Sequence, residues 1–200
     1  MKIHQIQQIS EMHCGPAVLQ MLLDVVGIQV SQQQITDVLN VREQIIEHGV
    51  RPDQLGRACS ILAPTAQFWY KYHANIDDIA YILKEGYAVG VEWQGLFYES
   101  EEEEARDSGD ESDFGHYSII SYYDASEQLL VIVDPYKDFV NQDRIFDVPV
   151  FLKRWWDTNE LIDPNTGHKQ IVEDKQLLFF VAPQGKVFEP EFNFKAFHQS

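Results

Sequence analysis

The hydrophobic period of this chain changes once, at Tyr87, and that change limits what it can fold into. Before it, apolar residues recur at helical spacing. Cys14-Gly15-Pro16 opens the run Ala17-Val18-Leu19-Gln20-Met21-Leu22-Leu23. Pro16 suits a first helical turn and Gly27 a C′ position, so a helix is predicted from an N-cap at Cys14 to about Gly27. Ser31 to Gln34 matches a capping box for a short helix carrying Ile35, Val38 and Leu39. Pro52-Asp53 begins a third, with Leu55, Ala58, Cys59 and Leu62 on one face, and Asn75 caps a fourth that stops at Gly86. Only Ala66, Phe68, Tyr70 and Tyr72 alternate as a strand in this half. After Tyr87 the pattern is β: Tyr87–Trp93, His116–Tyr123 and Gln128–Val133, with a short helix around Val150–Trp156 and a closing strand from Gln176 to Val181. Helices first and strands second imply an α+β fold, N-terminal helices packed on a C-terminal antiparallel sheet.

Two hundred residues suit one domain spanning 1–200. The net charge of −17 argues against nucleic acid or an anionic membrane as partner, since both need a basic face. No apolar run reaches the roughly 18 residues of a membrane span, and the first residues lack the apolar region of a signal peptide. Two cysteines give no disulfide framework, and free thiols fit the cytoplasm. Between Glu99 and Asp113 lie nine acidic residues and one basic one, Arg106. That run is expected to be a solvated, disordered insertion favouring basic partners, whose removal leaves stability nearly unchanged. Clustered carboxylates can capture calcium, but the ligand spacing of a calcium loop is absent, and Asp163 to Gly167 reads as a turn.

Cys14 has a nucleophile's position, because a helix N-terminus stabilises a thiolate. The bland reading of a cysteine near an apolar helix is packing, and Cys59 fits that reading. A thiol nucleophile needs a base and the base an orienting acceptor. Of seven histidines, His4, His48, His73, His168 and His198 sit in polar or terminal contexts, and His13 points away from its neighbour Cys14. His116 instead follows Gly115 and opens an apolar strand. If Tyr122 pairs with Gln128 across a five-residue loop, or Tyr123 with Glu127 across three, Asp134 falls directly opposite His116. Their Cβ atoms would then be about 4.5–5.5 Å apart. A four-residue loop would send Asp134 to the other face, and Asp134 can equally be a turn residue before Pro135.

Gln8, Cys14-Gly15-Pro16-Ala17, Gly115-His116-Tyr117 and Val133-Asp134-Pro135-Tyr136 resemble the bacteriocin-processing, double-glycine leader peptidases in their free-standing form. The resemblance runs from about Gln8 to Pro183 and takes in Phe151 to Trp156, similar to a Phe-x-x-x-Trp helix of that family. It implies a papain-like cysteine peptidase fold. It also implies Cys14 as nucleophile, His116 as general base and acid, Asp134 as orienter, and Gln8 as a side-chain donor to the oxyanion beside the Cys14 N–H. No metal or cofactor is implied, and the acidic run before His116 departs from the family, so double-glycine specificity is not carried over. The expected activity is hydrolysis of a peptide or amide bond through an acyl-enzyme. Acyl transfer uses the same triad, and a non-catalytic papain-like module could bind through the acidic loop; a thiol of ordinary reactivity would favour the latter.

Overall fold

The run after Pro16 forms helix α1 (Cys14–Val25) in the computed structural model, which describes residues 2–40, 49–98, 101–108, 114–162 and 167–198. Cys14 is the first helical residue and His13 its N-cap, one position earlier than the sequence suggests. Pro16 to Leu19 and Met21 to Leu23 are buried, so α1 is a core element and not a half-exposed one. Helix α2 (Gln32–Leu39) begins with the expected capping box: Ser31 Oγ accepts from the Gln34 N–H, and Gln34 Oε1 from the Ser31 N–H. Helix α3 (Pro52–Leu62) buries Leu55, Ala58 and Cys59, and burial pushes the Cys59 thiol up to about 12. Strand β1 (Ala66–Lys71) then leads to α4 (Ile76–Lys84), capped by Asn75.

The second half supplies β2 (Val89–Gln94), helix α5 (Glu101–Ser108), β3 (Gly115–Asp124), β4 (Leu129–Val133) and β5 (Asp143–Asp147). Helix α6 (Val148–Arg154), β6 (Trp156–Ile162), β7 (Lys169–Lys175), β8 (Leu178–Pro183) and β9 (Lys195–Ala196) follow. Seven strands form an antiparallel sheet in the order β5-β4-β3-β2-β8-β1-β9, and β6 and β7 pair separately as a hairpin. Helices α1 to α3 bury Phe68, Tyr117, Ile119 and Phe179 on one sheet face. Helices α4 and α6 cover Val91, Trp93, Ile120 and Phe180 on the other. No described helix is long and apolar enough to cross a membrane.

The β3–β4 pairing differs from the expected register. Asp124 pairs with Leu129, leaving the four-residue loop Ala125 to Gln128, the length that should put Asp134 on the wrong face. A β-bulge between Ile120 and Tyr122 absorbs one residue and restores the face. Beyond it Ile120 faces Ile132 and Ile119 faces Val133, so Asp134 lies across from Ser118 rather than His116. The two site residues are diagonal neighbours on one face, still within side-chain reach.

The acidic run also departs from expectation. Residues 101–108 are helical, and Glu104 is buried because Arg154 Nη1 and Nη2 each donate to its carboxylate at 2.7 Å. Arg154 also donates to the carbonyls of Gln94 (2.8 Å) and Gly95 (3.0 Å), which ties α5 to the end of β2. Residues 99–100 and 109–113, the expected turn at 163–166, and His48 lie outside the described residues. The sequence reading also missed β5, β9 and the β6–β7 hairpin.

Two stability effects follow. Phe151 has no exposed surface and packs against Trp93 and Trp155. Phe151→Ala should cost about 3–5 kcal/mol in urea unfolding, the usual range for deleting a buried aromatic. Glu104→Gln weakens the Arg154 clamp and should cost about 1–3 kcal/mol, where a merely solvated run would show no change.

Candidate active site

Glycine sets the position of Cys14. A Cβ on Gly15 would lie 3.4 Å from both the Tyr117 ring and the Val50 carbonyl, so the start of α1 sits directly against β3. The first amides of that helix have no intrahelical acceptor, which leaves N–H groups pointing out of its N-terminus beside the thiol. His13 is turned away and exchanges a hydrogen bond with Ser10 Oγ at 2.6 Å. Gly115 has a similar role one strand over: a Cβ there would fall 2.5 Å from Asp157 Oδ1, so only glycine lets β6 approach beside His116.

His116, at the start of β3, is buried, with its Nε2 2.8 Å from Asp134 Oδ1. The Cys14 side chain lies close enough to act on the imidazole's pKa as well. With Nε2 directed at the carboxylate, Nδ1 is the ring nitrogen left for sulfur. The ring edge packs against Phe97, centroids 5.1 Å apart. Burial alone would lower the His116 pKa, but the Asp134 carboxylate and then Cys14 outweigh it and raise it to about 10.

Asp134 has no exposed surface and is fully engaged. Besides His116, its carboxylate accepts from Arg144 Nη1 (2.7 Å), the Tyr136 N–H (2.9 Å) and Ser118 Oγ (3.3 Å). Burial acts to raise its pKa; His116, Arg144 and the Tyr136 N–H together bring it down to about 2. Ser118 Oγ in turn accepts from Trp93 Nε1 at 3.1 Å. Arg144 donates to the Leu96 carbonyl, and its guanidinium carbon lies over the Phe139 ring, 3.7 Å from the centroid. The sequence reading missed Arg144. Its signal was an arginine on the same strand face as Phe146, an unusual place for a charge unless it is paired.

Gln8 is buried near the chain start, and its N–H donates to the Pro135 carbonyl at 2.9 Å, next to Asp134. Its side chain departs from expectation: Nε2 donates to the carbonyls of Ser10 and Glu11, each at 2.9 Å, so both amide hydrogens are committed to the turn before Cys14. Gln8 Oε1 has no partner among the described residues. The described residues contain no group of histidine, cysteine or carboxylate side chains arranged to hold a metal ion.

A family model of the Peptidase_C39 like family matches residues 1–161. The fold is similar to the peptidase domain of Streptococcus ComA, a bifunctional ABC transporter involved in a quorum-sensing pathway, at 19% identity and TM-score 0.56. That match covers 90% of this chain and 98% of that one. It is similar to a double-glycine-motif protease from an AMS/PCAT transporter, solved with its leader peptide (17%, TM-score 0.54, 92% and 93% covered). A C39-like peptidase from Bacillus anthracis is also similar (18%, TM-score 0.58, 88% and 92% covered). No curated protein matches the chain. The architecture is therefore the papain-like α+β fold of C39 peptidase domains.

The His116–Asp134 pair has a defined pH signature. With its pKa raised from 6.5 to about 10, His116 stabilises the fold fully below about pH 6.5 and loses that contribution as pH rises to about 10. Asp134, lowered from 3.8 to about 2, contributes above about pH 3.8 and loses it as pH falls through about 2. The stability difference between wild type and Asp134→Asn should be largest near pH 4–6.5 and shrink towards pH 10, measured by urea unfolding. A difference independent of pH would contradict this pairing.

Proposed function

The chain belongs to the Peptidase_C39 like family, and on that premise we propose that it cleaves a peptide bond through an acyl-enzyme on Cys14. One observation carries this reading: His116 lies between the Cys14 thiol and the Asp134 carboxylate. A thiolate–imidazolium pair in that geometry is a nucleophile with its proton donor already in place.

Cys14 Sγ attacks the carbonyl carbon, and the oxyanion that forms is received by the free N–H groups at the start of α1. His116 Nδ1 gives its proton to the amide nitrogen as the C–N bond breaks and the amine leaves. A water then loses a proton to the same nitrogen and attacks the thioester, releasing the acid and the thiolate. Asp134 holds the imidazole through Nε2 during both steps. The bonds from the Gln8 amide to the Ser10 and Glu11 carbonyls favour a different part for that residue: it shapes the turn that presents Cys14. A peptide substrate is favoured, with an excess of basic residues given the charge of −17. The free thiols Cys14 and Cys59 suit the cytoplasm.

Thiol alkylation tests the reading. A stoichiometric alkylating agent at pH 5–8 should modify Cys14 at least about tenfold faster than free glutathione, and His116→Ala should remove the excess. Cys59 is the internal unreactive control. Cys14→Ala and His116→Ala should each lower kcat/KM for peptide cleavage by about 10³-fold or more. A Cys14 that reacts no faster than glutathione would refute the enzyme reading and favour a binding module.

A further inference from the structure

A cavity of about 290 Å³ lies between the segment entering α3 and the β6–β7 hairpin, walled by Arg51, Pro52, Asp53, Tyr72, Asn159 and Asp174. Its size is at the lower limit for small-molecule pockets, which suits one side chain better than a whole ligand. Two neighbours of this corner pack on Gly15, the residue after Cys14. Val50, the residue before Arg51, meets Gly15 through its carbonyl, and the Tyr117 ring meets the same glycine. Tyr117 Oη donates to Glu92, and Asn159 Nδ2 on the cavity wall donates to Glu92 Oε1 (3.3 Å) and Asp174 Oδ2 (3.0 Å).

This corner is rich in buried acid, and burial raises the pKa of Glu92 and of Asp174. Glu92, Asp157 and Asp174 are all more than nine-tenths buried. The cation on the wall is already matched, since Arg51 Nε and Nη2 donate to Asp53 at 3.0 and 2.7 Å. Glu92 Oε2 is buried and has no hydrogen-bond donor among the described residues. Burial first, then Asp174 and Glu92, push the Tyr72 hydroxyl well above its ordinary value. A guanidinium or ammonium entering beside Asp174 would bring positive charge and N–H donors to this buried acid.

We propose that this cavity is the subsite that receives an arginine or lysine side chain of the peptide substrate, with Asp174 as the charge partner. It rests on the peptidase reading and names the substrate class for that site. The specificity it confers comes from a carboxylate fixed by the hairpin, independent of the acidic helix α5.

The test separates binding from cleavage. A single arginine, or its neutral isostere citrulline, is placed in turn at each position of a fluorescein-labelled alanine–glycine octapeptide. Binding to the Cys14→Ala chain is read by fluorescence anisotropy. At one position the arginine peptide should bind about tenfold tighter than its citrulline counterpart. Asp174→Asn on that background should bring the two to equality. Glu173→Gln, an exposed change of the same net charge on the same strand, should leave the preference intact. Equal binding of arginine and citrulline at every position, no binding at millimolar peptide, or a preference that survives Asp174→Asn would overturn the subsite. A clear arginine preference together with failure of the active chain to cut the preferred peptide would leave the subsite standing and refute the peptidase reading.

Discussion

The site depends on one buried carboxylate kept ionised. Asp134 has no exposed surface, and an unpaired charge there would cost several kcal/mol. It is balanced on both oxygens: His116 on Oδ1 and Arg144 on Oδ2, with the Tyr136 N–H also on Oδ1. The main chain at the same point anchors the N-terminal segment. Gln5 Nε2 donates to the carbonyls of Asp134 (2.6 Å) and Phe139 (2.8 Å), and the Gln8 N–H donates to that of Pro135. The stretch from Asp134 to Phe139 therefore orients the imidazole with its side chain and, with its backbone, steers the segment that delivers Cys14. His116 and Cys14 share one support.

What could be read in the sequence was mostly local. Capping at Ser31 and Asn75, Pro52 at a helix start and the apolar α1 run depend on neighbouring residues, and the structure has them. His116 and Asp134 were identifiable because each stands at the end of an apolar strand, where a polar side chain needs a reason. Features set by distant partners were hidden. Nothing in the alternation from His116 to Tyr123 marks where an extra residue bulges out. Arg154 redirects the acidic helix from a position 50 residues further along the chain. The β6–β7 hairpin buries Asp157 and Asp174 where a strand normally buries apolar groups, so its periodicity is disguised. Gln8 was found by its spacing, but only its surroundings reveal that its amide hydrogens serve the turn.

The two sheet faces divide the work. The face under α1 to α3 carries Tyr117 and Ile119 and brings up the thiol; the face under α4 and α6 carries Trp93 and Phe146, which pack with Phe151 of α6 and with Arg144 behind Asp134. His116 pairs with Trp93 across β2 and β3, at the end of the sheet where both layers can reach it. Arg154 acts at that same end, holding α5 to the carbonyls of Gln94 and Gly95.

The bulge after Ile120 links two places that look unrelated in the chain. A strand counts in twos, so the odd residue in β3 and the four-residue loop before Leu129 are opposite errors of parity that cancel. Changing either length by one residue alone would move Asp134, together with its partner Arg144, to the opposite sheet face and away from His116. Losing one residue from both would keep the face and merely shorten the hairpin. Insertions and deletions in this arm are thus tolerated in pairs, and the solvent-exposed loop tip is bound to the His116–Asp134 pair by arithmetic.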